Sequence, residues 1–169
     1  MTSAMLRPYV IQNGGADGMA DQARIRAEFI ETVGQITQSE KLPRIAGRIL
    51  GLLIFDGVPV SFGALADELQ VSRGSVSTAT RTLEDRGLIR RVGMPGERQD
   101  FFQLADNPYL NLMRHVKTML ERNCETVRGT AAAIEDEAAR KRVQDFADFY
   151  QLMSDWAGSC LRDLTAGKK

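Results

Sequence analysis

The segment SRGSVSTATRTLED, from Ser72 to Asp85, carries the side chains best suited to contact a ligand. At about 100° per residue, a helix over this segment has an apolar stripe on one side and small polar residues on the other. The polar side comprises Gly74, Thr78, Arg81 and Asp85, flanked by Ser75, Ser77 and Thr82. Short hydroxyl side chains allow close approach to DNA, and arginine can pair with guanine O6 and N7. We therefore expect this face to enter a major groove, with the helix N-terminus offering amides to a phosphate.

The charge of the neighbouring residues decides between this interpretation and an ordinary solvated helix, which fits the polar face equally well. Residues 41–98 contain nine basic and six acidic side chains, a local net charge of +3 in a chain of net charge zero. Such a surface can hold DNA because phosphate attraction acts within about 10 Å at 0.1 M salt. Arg98 is the best candidate for a backbone or minor-groove contact. Arg90 and Arg91 are the next candidates, and we expect only one of the two to face outward, since side chains alternate along a strand.

Two serines divide this region into short helices. Ser61 can cap one helix, and Ser72 can cap a second that ends at Gly87. Two short helices joined by a tight turn predict a helix-turn-helix. Apolar runs at 88–92 and 101–104 flank Pro95-Gly96, a pair that favours the centre of a type II turn. These runs predict a β-hairpin, the wing, directly after the second helix.

Amphipathic helices are expected on both sides of this region. Apolar residues recur every three or four positions in residues 19–40, and Pro43 suits the first turn of a largely buried helix that follows. In the last helix the spacing alternates between three and four, the 3.5-residue period of a helix packed along a partner; it runs through Val143, Phe146, Tyr150, Met153, Ala157, Cys160 and Leu164. Phe149, Leu152 and Trp156 widen this face beyond what one small domain could cover. The predicted dimer interface therefore contains Phe29, Val143, Phe146, Tyr150, Met153 and Ala157.

The predicted fold class is mainly α with a small β-hairpin. A winged helix-turn-helix domain at 41–106 is flanked by N- and C-terminal dimerisation helices, at 19–40 and 107–169. Residues 1–18 have several turn-forming residues and no sustained periodicity, which predicts a flexible N-terminal arm.

The segment from Leu42 to Phe102 resembles MarR-type winged-helix regulators, in particular the GbsR-like branch, over roughly a third of the chain. The most specific elements are PRIAGRILGLL, VSRGSVSTATRTLEDRGLIRRV and PGERQDFF. The resemblance implies a homodimer on a palindromic operator, often a repressor whose affinity a small ligand alters. It also implies that Arg98 lies on the wing, and that the recognition helix carries Ser72, Arg73, Gly74, Ser75, Ser77, Thr78 and Arg81. The chain departs from the usual wing pattern, because Glu97 directly precedes Arg98 instead of lying two positions before it.

The remaining chemically active side chains indicate no enzyme. Cys124 and Cys160 lack a CxxC spacing and fall on apolar stripes, which favours packing over redox sensing. His115 has no second histidine or carboxylate at ligand spacing. No nucleophile–base pair or glycine-rich phosphate loop is present, so we expect a non-enzyme without cofactor or metal.

Two alternatives remain open at this stage. The same winged fold and helix face can bind protein instead of double-stranded DNA. The aromatic side chains of the last helix could line an effector cage for a cation, although their helical spacing favours a dimer core. The longest apolar run is too short to span a bilayer and no signal-like segment begins the chain, which predicts a cytoplasmic protein with no membrane partner.

Overall fold

The computed structural model describes residues 16–166. Six helices and three strands follow in this order: α1 (Ala16–Ser39), α2 (Arg44–Asp56), β1 (Val60–Ser61), α3 (Phe62–Leu69), α4 (Arg73–Asp85), β2 (Ile89–Val92), β3 (Phe101–Leu104), α5 (Pro108–Ala132) and α6 (Glu137–Ala166). The mainly helical class with a small hairpin is confirmed. Residues 1–15 of the predicted arm lie outside the described residues. Residues 16–18, the rest of that arm, belong to α1.

Helix α2 is the centre of the hydrophobic core. Its apolar face packs with the inner faces of α3 and α4, with Leu88 and Ile89, and with Phe102 from β3. Gly57 ends α2 in the left-handed conformation at φ 67°, where its amide donates to the carbonyl of Leu53 at 3.1 Å. The predicted buried second helix is therefore present and supports both helices of the helix-turn-helix.

Helix α1 crosses α2 at very short range because glycines replace side chains at the crossing. A Cβ at Gly47 would lie 1.9 Å from Thr37 Oγ1 and 2.6 Å from the Val33 carbonyl. Ion pairs fasten the same helix: Arg26 contacts Asp56 at 2.6 Å and Glu68 at 2.5 Å. Helix α1 is thus bound to the helix-turn-helix of its own chain.

The ring of Phe29 packs against Phe55 of α2, with the centroids 5.9 Å apart, and is half-buried within the chain. Its placement in the subunit interface stays a prediction, and within its own chain its neighbour is α2. The exposed large apolar side chains of α1 are Met19, Ile25 and Ile36.

The wing is an antiparallel sheet in the order β1-β3-β2. Strands β2 and β3 pair with Ile89 opposite Leu104, as the two apolar runs predict. The turn between them contains Gly96 at φ 83°, and the Glu97 amide donates to the Met94 carbonyl at 3.1 Å, as expected of a type II turn. The sequence did not predict the two-residue strand β1, which adds a third strand to the hairpin.

Helices α5 and α6 pack against each other along their length, and α5 covers part of the apolar seam assigned to a second subunit. Ala157 is fully buried, while Val143 and Tyr150 are half-buried. Ala157 therefore leaves the predicted dimer interface, because α5 of the same chain covers it. Phe146, at the other edge of the seam, is 51% exposed.

One hydrogen-bonded joint links α5 to the end of α4. The Asn111 Nδ2 donates to the Gly87 carbonyl at 2.9 Å. Gly87 is left-handed at φ 65°, and a Cβ there would lie 2.9 Å from the Asn111 Cβ, so only glycine fits without displacement. Leu112, one residue further, packs against the core.

Candidate nucleic-acid interface

The turn between α3 and α4 is set by local hydrogen bonds. The Ser61 hydroxyl accepts from the Ala64 amide and the Ser72 hydroxyl accepts from the Ser75 amide, both at 3.1 Å, which confirms both predicted caps. Gln70 turns the chain at φ 52°, and the Val71 amide donates to the Ala66 carbonyl at 3.0 Å. These bonds fix the start of α4 relative to α3.

Helix α4 has the two faces that its sequence predicts. The buried face consists of Val76, Ala79, Thr80 and Leu83. Thr80 remains satisfied in the core because its hydroxyl donates to the Val76 carbonyl at 2.9 Å. The outward face is exposed along its centre, at Gly74, Thr78, Arg81 and Asp85. A short polar surface is therefore presented to solvent.

The flanking hydroxyl groups of α4 are partly engaged. Ser72 and Ser75 share a hydrogen bond of 2.8 Å between their hydroxyl oxygens, and Thr82 donates to the Thr78 carbonyl at 3.0 Å. Ser77 is half-buried beside them. Thr78 and Gly74 are thus the small residues most open to an approaching surface.

Gly74 is open space on this face. A Cβ built there would meet only the Ser72 hydroxyl, at 3.8 Å. Its backbone is helical, so neither conformation nor packing within the chain requires glycine at this position.

Three exposed arginines of α4 and the wing form no ion pair with any residue from 16 to 166: Arg73, Arg81 and Arg98. Arg73, at the first turn of α4, lies over the Phe62 ring at 5.1 Å from its centroid, which orients it without neutralising it. Arg81 projects from the middle of α4, and Arg98 lies beyond the wing turn. Their charges remain available to an anionic partner.

Arg91 does not share this freedom. Its Nη1 donates to Asp100 Oδ2 at 3.0 Å and its Nη2 donates to Glu84 Oε2 at 3.2 Å. The bond to Glu84, followed by the charges of Glu84 and Asp100, raises the pKa of Arg91. The DNA contact predicted for Arg91 stays a prediction, although both ends of its guanidinium are bound within the chain.

The expectation that only one of Arg90 and Arg91 faces outward is wrong. Both are exposed, because the wing extends past the core and leaves each face of β2 open. Arg90 pairs with Asp106 at 3.2 Å on the side away from Glu84.

The local charge excess is smaller than the sequence count indicates. Arg44 and Arg48 both pair with Glu31 of α1, at 2.5 and 2.6 Å, and Arg48 also donates to the Leu69 carbonyl at 3.1 Å. The acidic partners Glu31, Asp100 and Asp106 lie outside the counted segment.

Sequence reasoning missed Glu84, Asp100 and Phe62. Glu84 falls beside the polar face of α4, and Asp100 follows the wing arginine, but their link through Arg91 depends on strand register and on the packing of β2 against α4. The signal that could have identified Glu84 and Asp100 was the presence of acidic residues close in sequence to a candidate arginine.

The aromatic side chains of α6 pack edge to face along the helix surface. The Phe146 and Phe149 rings lie 5.0 and 5.8 Å from the Tyr150 ring, centroid to centroid. Phe149 and Trp156 are 53% and 60% exposed. Among residues 16–166, no group of three His, Cys, Asp or Glu side chains is arranged to hold a metal ion, and no described helix could cross a membrane.

The sequence of this chain is similar to a known protein family and to two curated proteins. Residues 41–99 match the model of the MarR family. The chain is 39% identical over 98 residues to the HTH-type transcriptional regulator MmpR5 of Mycobacterium tuberculosis, an alignment that covers 57% of this chain and 59% of that protein. It is 24% identical over 81 residues to the putative HTH-type transcriptional regulator YvaV of Bacillus subtilis, covering 48% and 46%. The chain therefore spans about half the length of the curated relatives it matches.

A solved structure described as that of a transcriptional regulator superposes with a TM-score of 0.74 at 26% identity, over 83% of this chain and 98% of the other. The agreement extends beyond the matched segment into the flanking helices. The family match of residues 41–99 agrees with the predicted non-enzymatic class.

Proposed function

Since residues 41–99 match the model of the MarR family, we propose that this chain is a sequence-specific DNA-binding transcriptional regulator. The observation that carries the proposal is the outward face of α4, where Gly74, Thr78 and Arg81 are exposed together. Arg81 is the base-reading side chain, because it stands at the centre of the face with its charge unpaired by the described residues. Arg98 supplies the phosphate or minor-groove contact from the wing.

The regulator acts as a homodimer on an inverted repeat. Phe146, Phe149, Leu152 and Trp156 form an exposed apolar stripe on α6, and residues of this size seldom stay in water together. A second copy contributes the same stripe, so a two-fold interface covers both. Met153, half-buried beside Phe149, completes the contact. The two α4 helices then enter successive major grooves about 34 Å apart.

The finer assignments rest on the sequence motifs. The elements PRIAGRILGLL and PGERQDFF favour the GbsR-like branch, repression, and control by a small-molecule effector. A DNA-bound regulator of this kind works in the cytoplasm.

The decisive experiment selects fragments from genomic DNA with the full chain and titrates the recovered fragment across a salt series. A DNA-reading protein enriches an inverted repeat, and its affinity falls steeply as salt rises because phosphate contacts release counterions. The matched control is the same fragment with one half-site scrambled. Failure to enrich any sequence, together with no salt-dependent binding, would favour the alternative of a protein-binding winged helix.

A further inference from the structure

The side chain of Arg91 joins three elements that are separate along the chain. From β2 it reaches Glu84 on α4 at 3.2 Å and Asp100 at the start of β3 at 3.0 Å. Its guanidinium also lies over the Phe102 ring, 5.5 Å from the centroid. The two carboxylates and the Phe102 ring together restrict the position of the guanidinium.

Asp100 is bound through its backbone as well. Its carbonyl accepts from the Phe62 amide, the first residue of α3, at 2.9 Å. The Phe62 ring lies 6.4 Å from the Phe102 ring and supports Arg73 at the start of α4. The root of the wing is therefore attached to α3 by the backbone of Asp100 and to α4 by its carboxylate, through Arg91.

We propose that Arg91 is a positioning residue for DNA recognition: with Glu84 and Asp100 it locks the wing against α4 and so fixes where Arg98 lies relative to Arg81. Asp100 is two residues from Arg98, and Gln99 between them is exposed. The orientation of the tip is consequently set at its root. The inference rests on the proposed DNA-binding function.

Neutralising Asp100 changes DNA affinity in opposite directions if Arg91 positions the wing and if Arg91 contacts DNA directly. An acidic residue near DNA repels phosphate, so its neutralisation ordinarily strengthens binding. If Arg91 instead contacted a phosphate, neutralising Asp100 would release it and also strengthen binding. The locked wing requires the opposite result, because Asp100→Asn loosens the tip and displaces Arg98.

The test measures affinity of the full chain for its selected fragment. Asp100→Asn and Arg91→Gln each weaken binding by about two- to fivefold, the range expected for losing an exposed ion pair. Glu97→Gln is the matched control, since Glu97 lies in the same wing and forms no ion pair with the described residues. That variant binds as tightly as the wild type or more tightly.

A second comparison excludes a general loss of folding. In an Arg98→Gln background, Asp100→Asn causes no further loss of affinity, because the lock acts through Arg98. Tighter binding by Asp100→Asn, or the same loss with and without Arg98, would overturn the proposal. If the wild-type chain binds no DNA, the proposed function fails together with it; if the wild type binds and Asp100→Asn behaves like Glu97→Gln, only the lock fails.

Discussion

Gly74 is a residue that the fold of this chain does not require. It lies in the first turn of α4, where glycine costs a helix stability relative to alanine, and an added methyl would meet nothing closer than the Ser72 hydroxyl. A glycine retained on an open, outward face is explained when another surface must come close to the backbone there.

Gly74→Ala should therefore separate stability from binding. We expect the variant to be more stable by up to about 1 kcal/mol, from helix propensity. Its DNA affinity should fall about tenfold, because a methyl group at a close contact costs about 1–3 kcal/mol. Thermal unfolding and DNA titration measure the two effects.

Gly129→Ala on α5 is the matched control for this variant, since that glycine is also helical, exposed and without neighbours. It should gain similar stability and leave DNA binding unchanged. If Gly74→Ala bound DNA as tightly as the wild type, the prediction that the backbone of α4 approaches DNA closely at this position would be wrong.

Arg81 and Arg98 should differ in the kind of loss they cause. Arg81→Ala lowers affinity by about 1–3 kcal/mol and relaxes preference at one base step, as expected of a base-reading arginine. Arg98→Ala weakens binding to all sequences and reduces the salt slope by about one. Titrations against single-base operator variants check both, and if neither variant changes affinity, the interface lies elsewhere.

Periodicity predicted the exposed and buried faces of α4 because a helix converts sequence spacing directly into angle. It could not predict that Arg91 is bound, since Glu84 and Asp100 reach it only after β2 pairs with β3 and packs against α4. Counting charges along the segment therefore overestimated the free arginines.

At the scale of elements, the crossing of α1 and α2 depends on the absence of side chains. Gly34, Gly47 and Gly51 each face the other helix, and at all three positions a Cβ would lie closer than normal packing allows. The Thr37 hydroxyl fits at the crossing by donating to the Val33 carbonyl at 2.9 Å.

Gly47→Ala should destabilise the chain by about 1–3 kcal/mol, the usual cost of overpacking, because its methyl meets both the Thr37 hydroxyl and backbone. Urea unfolding measures the loss. Gly18→Ala, at an open position of α1, is the control and should not lower the midpoint. An equal midpoint for Gly47→Ala would mean that the helices can separate without cost.

Glu31 gives the attachment of α1 a pH dependence. The hydrogen bond from Arg44, aided by the charges of Arg48 and Arg44, lowers the pKa of Glu31 in the folded chain. A lowered pKa contributes stability that is present above the unfolded value of about 4.3 and is lost as pH falls through the folded value. The carboxylate is partly exposed, so the contribution is about 1 kcal/mol or less.

Glu31→Gln should therefore be slightly less stable than the wild type at pH 7 and lose less stability on acidification to about pH 3.5. Urea midpoints at both values check this. Glu40→Gln, exposed just after α1, is the control and should follow the wild-type change. If Glu31→Gln lost as much stability on acidification as the wild type, the lowered pKa of Glu31 would not be a source of the pH dependence.

Element prediction succeeded where local chemistry decides the structure, as at the Ser61 and Ser72 caps and the Pro95-Gly96 turn. It failed for β1, because a strand of two residues is too short to show an alternation of apolar and polar side chains. The seam of α6 shows a deeper limit: a 3.5-residue repeat indicates a partner helix without saying which chain supplies it, and α5 takes one edge of that seam.

At the scale of the whole molecule, the net charge is zero, so the attraction of DNA depends on the three unpaired arginines of α4 and the wing. A single small basic surface binds weakly at physiological salt, because few phosphates are neutralised. Linking two such surfaces raises the effective concentration of the second. The proposed α6 interface is therefore a condition for operator affinity.

Phe146→Asp should convert the dimer to a monomer, because the charge would be buried in the interface without a partner. Light scattering should show half the mass, and the affinity for the full operator should fall more than that for one half-site. Val58→Asp is the control: Val58 is 54% exposed, precedes β1, and should leave the mass unchanged. A Phe146→Asp variant that stays dimeric would move the interface to another surface, such as Ile25 and Ile36 of α1.

The joint at Gly87 and Asn111 has a mechanical meaning in such a dimer. From Pro108 to Cys124, which faces α6, helix α5 is a lever of about 24 Å. If the Cys124 end of α5 is held in the proposed dimer, a swing of about 8° about that end displaces the Gly87–Asn111 joint by about 3.4 Å, the rise of one base pair. The rigidity of α5 and of its attachment to α4 then determines how well the proposed dimer distinguishes operators that differ by a single spacer base pair.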